Sequence, residues 1–102
     1  MIDTHPARFP GLDADDATIE DLAALPTIDF GGAHHENTVR ASFAASALVA
    51  YTGRRGSDTL ETDLADLLAD LRHLADALGI NFREALVTSG VNYLAETGET
   101  HE

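Results

Sequence analysis

Leucines in the second half of the chain recur at alternating intervals of four and three residues. They are Leu60, Leu64, Leu67, Leu71, Leu74 and Leu78. Because an α-helix repeats every 3.6 residues, this spacing places all six on one stripe of a single long helix. Leu68 and Ala75 widen the stripe, as expected of a helix that faces a protein core. We therefore expect Leu71, at the middle of the stripe, to be fully buried.

The two ends of this leucine-rich segment carry the signals of helix termini. Asp58 fits the capping position at its start, and Gly79 fits the left-handed residue that closes a helix in a Schellman motif. Asn81 can then cap another helix that runs to about residue 97. The connection is so short that the sequence predicts a C-terminal helix pair that folds back antiparallel or crosses at an angle.

The uncharged run ASFAASALVAY at residues 41–51 belongs to a helix predicted upstream. This helix is expected to cover about residues 38–52 and to end at Gly53. Because it lacks charge around its whole circumference, we expect burial on all sides, as a central helix or as part of a dimer interface. A shorter helix, capped by Asp13 or Asp15, is predicted to precede it.

A chain of 102 residues suffices for one domain with a modest core. The sequence predicts a single all-α, four-helix domain over residues 1–102, with residues 1–12 and 98–102 flexible. The formal net charge of −12 makes nucleic acid and anionic membranes unfavourable partners. No cysteine is present, which excludes disulfides, thiolate metal sites and cysteine catalysis. No stretch approaches the roughly 20 apolar residues of a membrane span, and a cytoplasmic location is expected.

A second stripe on the leucine-rich helix, beside the leucines, consists of Asp63, Asp66 and Asp70. Carboxylates one turn apart are ligands that Mg²⁺ takes in proteins, with a bound phosphate completing the shell. The alternative interpretation is a solvated face that keeps an acidic protein soluble. Arg54 and Arg55 are candidates for holding the phosphate of a nucleotide near the start of this helix, although such a pair is also ordinary loop charge.

The run DLADLLADLRHLADALGINFREAL, at residues 63–86, resembles the last two core helices of MazG-type nucleoside triphosphate pyrophosphohydrolases. Asp63 falls on an acidic ligand of that family and Asp66 on its aspartate. The resemblance implies an all-α, dimeric or tetrameric protein that uses Mg²⁺ to split the α–β phosphate bond of nucleotides. The family also needs a Glu-x-x-Glu pair on the preceding helix, and residues 37–52 contain no acid. The implied function is a MazG-like module with weak or lost activity, and no catalytic residue is assigned.

Other interpretations stay open at the level of sequence. An acidic interaction protein, such as an inhibitor or decoy, would occupy the basic site of a protein partner. LADALGINFREAL, at residues 74–86, also resembles a helix-turn-helix, although its second helix offers only Asn81 and Arg83 to DNA. The adjacent His34, His35 and Glu36 are metal-binding residue types, but neighbouring side chains rarely converge on one ion. A homodimer is the expected assembly.

Overall fold

The computed structural model describes residues 15–25 and 36–98, together with positions 7, 9, 11 and 12. These residues form four helices and no strand. The helices are α1 (Ile19–Ala23), α2 (Glu36–Arg55), α3 (Leu60–Leu78) and α4 (Phe82–Thr97). The predicted all-α, four-helix fold class is thereby confirmed for this part of the chain. None of these four helices is long and apolar enough to cross a membrane.

Several predictions fall on residues outside the described part of the chain. They concern most of the two terminal segments expected to be flexible, the cap at Asp13, and the His34-His35 pair. These stay predictions.

Local capping chemistry explains where α1 and α3 begin, and it corrects two predicted caps. Thr18, rather than Asp15, caps α1, because Thr18 and Asp21 exchange hydrogen bonds between side chain and backbone in a capping box. Thr59, rather than Asp58, caps α3, since its hydroxyl accepts a hydrogen bond from the amide of Thr62 at 3.2 Å. The Asp58 carboxylate instead accepts a hydrogen bond from the amide of Thr59.

The turn between α3 and α4 forms as predicted. Gly79 is left-handed, with φ of 71°, and the Ile80 amide donates to the Ala75 carbonyl at 2.9 Å, as in a Schellman motif. Asn81 caps α4 by accepting a hydrogen bond from the amide of Glu84 at 3.0 Å.

The end of α2 differs from the prediction. The helix continues through Gly53 to Arg55, and the left-handed glycine that follows it is Gly56, with φ of 95°. The Gly56 amide donates to the Thr52 carbonyl at 2.7 Å and closes the last turn. Arg54 and Arg55 therefore lie on the last helical turn and not in a loop.

α2 packs against α1 on one side and α3 on another. Among the described residues, the buried apolar side chains are those of Ala45, Leu48 and Ala75. α2 and α3 run antiparallel, because Tyr51 contacts Asp70 whereas Arg55, one turn later, also reaches Asp66.

The lack of charge in α2 predicted that this helix is buried on all sides, and that prediction is wrong. Its buried positions include Ser42, Ala45, Leu48 and Thr52, which recur every three or four residues along one side. Phe43, in contrast, is 67% exposed. The reason is that α1 and α3 cover only part of the circumference of α2.

The prediction that the leucine stripe is buried is also wrong within a single chain. Leu71, at its centre, is 38% exposed, and Leu74 and Leu78 are more exposed still. α2 packs against the side of α3 that carries Asp66 and Asp70, so most of the stripe is left uncovered, although Leu60 and Leu67 are half-buried. Leu86, Tyr93 and Leu94 of α4 are exposed as well.

Candidate functional site

The acidic stripe of α3 faces the C-terminal end of α2 and meets Tyr51 and Arg55 there. The Tyr51 hydroxyl donates a hydrogen bond to Asp70 Oδ2 at 2.5 Å, and Arg55 Nη1 donates to the same oxygen at 3.1 Å. Arg55 Nη1 also lies 3.0 Å from the Tyr51 hydroxyl oxygen. One carboxylate of the stripe is thus held by two donors from the neighbouring helix.

These contacts shift the ionisation of all three groups. The hydrogen bond from the Tyr51 hydroxyl, and then that from Arg55, lower the pKa of Asp70 below its usual value. Partial burial, and then the hydrogen bond to Asp70, raise the pKa of the Tyr51 hydroxyl. The hydrogen bond to Asp70 likewise raises the pKa of Arg55. The arrangement therefore favours a charged Asp70, a neutral Tyr51 and a charged Arg55.

The other two acids of the stripe have different roles. Asp66 Oδ2 lies 3.9 Å from Arg55 Nη2, and both side chains are about half exposed, so this ion pair is weak. Asp63 is only 2% exposed. Its carboxylate accepts hydrogen bonds from the Asp58 amide and the Ser57 hydroxyl, both at 2.8 Å. Asp63 therefore fixes the loop that joins α2 to α3.

The three acids of the stripe were predicted to bind Mg²⁺. Each of Asp63, Asp66 and Asp70 contacts a donor from the protein, and the described residues contain no group of three or more His, Cys, Asp or Glu positioned to share a metal ion. Arg55, which was predicted with Arg54 to hold a phosphate, pairs with two of these carboxylates, at 3.9 Å to Asp66 and 3.1 Å to Asp70. The metal and phosphate assignments stay predictions.

A second surface was not predicted from the sequence. Residues 85–95 of α4 (ALVTSGVNYLA) contain no charged side chain, yet every one of them is exposed. The helix is held at its two ends. Arg72 stacks at 5.0 Å from the centre of the Phe82 ring at the start. At the far end, the Asn37 side-chain amide donates to the Glu96 carbonyl at 2.8 Å.

The exposed apolar side chains of α3, α4 and the turn between them are here called the apolar face. Its members are Leu64, Leu68, Leu71, Leu74, Leu78, Ile80, Leu86, Val87, Val91, Tyr93 and Leu94. Full burial of one such side chain stabilises a protein by about 1.5–3 kcal/mol. Because burial contributes about 25 cal/mol per Å², each side chain has about 60–120 Å² of apolar surface. At roughly half exposure, the eleven side chains together present on the order of 500 Å² of apolar surface.

Charge is distributed unevenly between this surface and the rest of the chain. Asp63, Asp66 and Asp70 lie on the side of α3 that faces α2. The two helices that carry the apolar face bear further charges of both signs, such as Asp76 and Arg72. The part of the apolar face that is free of charge is the middle of α4, in a chain whose net charge is −12.

The sequence contained a signal for this surface. The run 85–95 is as long and as free of charge as the run 41–51, from which burial in α2 was predicted. Both runs have the composition of contact surfaces.

No protein-family model matches the chain, and no significant match was found among curated proteins or solved structures. The resemblance to MazG-type enzymes at residues 63–86 therefore stays a prediction from the sequence.

Proposed function

We propose that this chain is a protein–protein interaction module that docks through its apolar face. The observation that carries the proposal is the uncharged segment 85–95 of α4, which is exposed along its whole length in a chain that also exposes leucines of α3. Soluble monomers rarely expose contiguous apolar patches larger than a few hundred Å², and larger ones mark interaction sites.

The apolar face is large enough to drive association. At about 25 cal/mol per Å², burial of on the order of 500 Å² contributes about 12 kcal/mol. Association costs an estimated 4–15 kcal/mol in lost freedom of the two partners, so the apolar contribution is of the size that is needed. The acidic remainder of the surface keeps the free protein soluble.

The hydrogen bonds of the acidic stripe and the lack of charge in segment 85–95 give less support to the other candidate functions. A MazG-like enzyme needs free carboxylates around its metal, whereas Asp70 is held by Tyr51 and Arg55. Stabilisation by Mg²⁺ beyond that of matched monovalent salt, lost in Asp66→Asn, would restore that candidate. A DNA-binding helix needs cations or polar groups that reach phosphates and bases, and segment 85–95 carries no charge.

A substitution on the apolar face tests the proposal. Val87 is 64% exposed, so Val87→Glu in the dissociated chain should change the free energy of unfolding by less than about 1 kcal/mol, as surface changes do. The measurement is urea unfolding at the lowest workable protein concentration. A loss of several kcal/mol in a monomeric chain would contradict the proposal, because it would mean that the same chain buries this surface.

A further inference from the structure

We propose that the partner on the apolar face is a second copy of this chain, so that two α3–α4 pairs pack together across a two-fold axis. This inference rests on the proposed function, since it specifies which protein the face docks. A two-fold arrangement brings the same surface of each copy into contact and needs no other component.

The area of the apolar face matches what a stable dimer needs. A standard interface buries about 800 Å² on each partner, and about 56–65% of that area is apolar. Each copy should then contribute about 450–520 Å² of apolar surface. The eleven exposed side chains of the apolar face supply on the order of 500 Å².

Charge favours a second copy over a basic partner. Two chains of net charge −12 repel each other over most of their surfaces. The segment 85–95 is free of charge, so contact there brings no like charges together. A basic partner would find no acidic side chain within this segment, whereas a second copy presents an equally uncharged and apolar surface.

Gly90 lies at the centre of the apolar side of α4. On a helical projection it falls between Leu86 and Leu94, which are themselves exposed. A Cβ atom built at Gly90 would meet no other atom within 4 Å. Nothing around Gly90 in its own chain therefore requires a glycine, whereas the close approach of a helix from a second copy would.

The small core of the described residues supports the same conclusion. Their buried apolar side chains are two alanines and Leu48, and none of their large side chains is fully buried. Dimerisation would bury the leucine stripe of α3 and supply a larger core, so that folding and association become coupled.

The experiment is sedimentation equilibrium of the pure protein over a range of micromolar concentrations. Wild type should behave as a dimer of twice 10.8 kDa that dissociates on dilution. Val87→Glu should weaken dimerisation by about 100-fold or more, because each copy would bury a carboxylate against apolar side chains. Val87→Lys should act in the same direction, which distinguishes loss of apolar contact from added negative charge.

Phe43→Glu is the matched control. Phe43 is as exposed as Val87 but lies on α2, in the segment 38–52 first considered as a dimer interface. A dimer that survives Phe43→Glu and is lost in Val87→Glu supports the inference. A dimer that is lost in Phe43→Glu and survives Val87→Glu overturns it in favour of α2. Circular dichroism verifies that each variant remains helical, and Leu78→Glu replaces Val87→Glu if the latter unfolds.

A wild type that is monomeric at all concentrations would overturn the inference. The unfolding of Val87→Glu would then test whether the proposed function still holds. Unchanged unfolding of this variant would mean that the apolar face is free for another protein, so that only the second copy is excluded. A large loss of stability would mean that the chain covers the face itself, and both proposals would fail.

Discussion

Two helices of this chain contain runs of eleven residues without a charge, and the two runs have opposite surroundings. Residues 41–51 of α2 bury one side against α1 and α3, with Ala45 and Leu48 at the centre. Residues 85–95 of α4 are exposed throughout, between contacts that hold only the ends of the helix. An uncharged helix thus indicates a contact surface without specifying whether the contact lies within one chain or between two.

The two runs should differ most in their response to truncation. Leu48→Ala should reduce the free energy of unfolding by about 2–5 kcal/mol, because Leu48 is only 8% exposed. Val87→Ala should cost less than about 1 kcal/mol in the dissociated chain. Urea unfolding of both variants at low concentration measures the difference. Equal losses would contradict the distinction between the two runs.

The next largest effect on the free energy of unfolding is expected at Asp63, which holds the loop between α2 and α3. Asp63→Ala should cost about 1–3 kcal/mol, because it leaves the Asp58 amide and the Ser57 hydroxyl without their acceptor. Asp66→Ala is the control on the same stripe, and its weak ion pair with Arg55 should contribute less than about 1 kcal/mol. A larger effect at Asp66 than at Asp63 would show that the exposed part of the stripe has a structural role that its contacts do not explain.

Gly90→Ala sharpens the comparison, because its sign depends on whether α4 has a partner. Alanine is favoured over glycine inside a helix by about 1 kcal/mol, so the dissociated chain should become more stable. In the dimer the added methyl group should oppose close helix packing and weaken association. Unfolding at low and high protein concentration separates these effects. Equal stabilisation at both concentrations would argue against close approach at Gly90.

The smallest effect is expected at the exposed contact between Tyr51 and Asp70. The folded-state pKa of Asp70 is lowered, so its contribution to stability is present above the unfolded pKa of about 3.9 and is lost as pH falls through the folded pKa. Tyr51→Phe removes the principal cause of this shift. The variant should lose less stability than wild type between pH 6 and pH 3 in urea unfolding. An unchanged difference would mean that other carboxylates dominate the acid response.

Sequence reasoning succeeded at the turn between α3 and α4, where the cause of structure is local. The left-handed Gly79 and the cap at Asn81 depend on neighbouring residues, and both were predicted. Leu71 is different, because helical periodicity identifies which side of α3 is apolar but not what lies against it. For this reason the sequence identified the leucine stripe correctly, whereas the prediction that it is buried within the chain was wrong.

The candidate site shows the same limit. The spacing of Asp63, Asp66 and Asp70 predicts a shared stripe, but it contains no information about the loop and helix that approach that stripe. Asp63 accepts hydrogen bonds from the preceding loop, and Asp70 from Tyr51 and Arg55 of α2. These partners depend on how α2 folds back on α3, which the spacing on α3 alone does not determine.

Hydrogen–deuterium exchange of the backbone amides at two protein concentrations tests the central claim most directly. If a second copy covers the apolar face, protection of residues 85–95 should rise with concentration, because association suppresses local opening of α4. Protection of residues 41–51 should rise less, since these residues already pack against α1 and α3, and Val87→Glu should abolish the rise at residues 85–95. Protection of residues 85–95 that is the same at both concentrations, in a chain that remains folded and monomeric, would contradict the account.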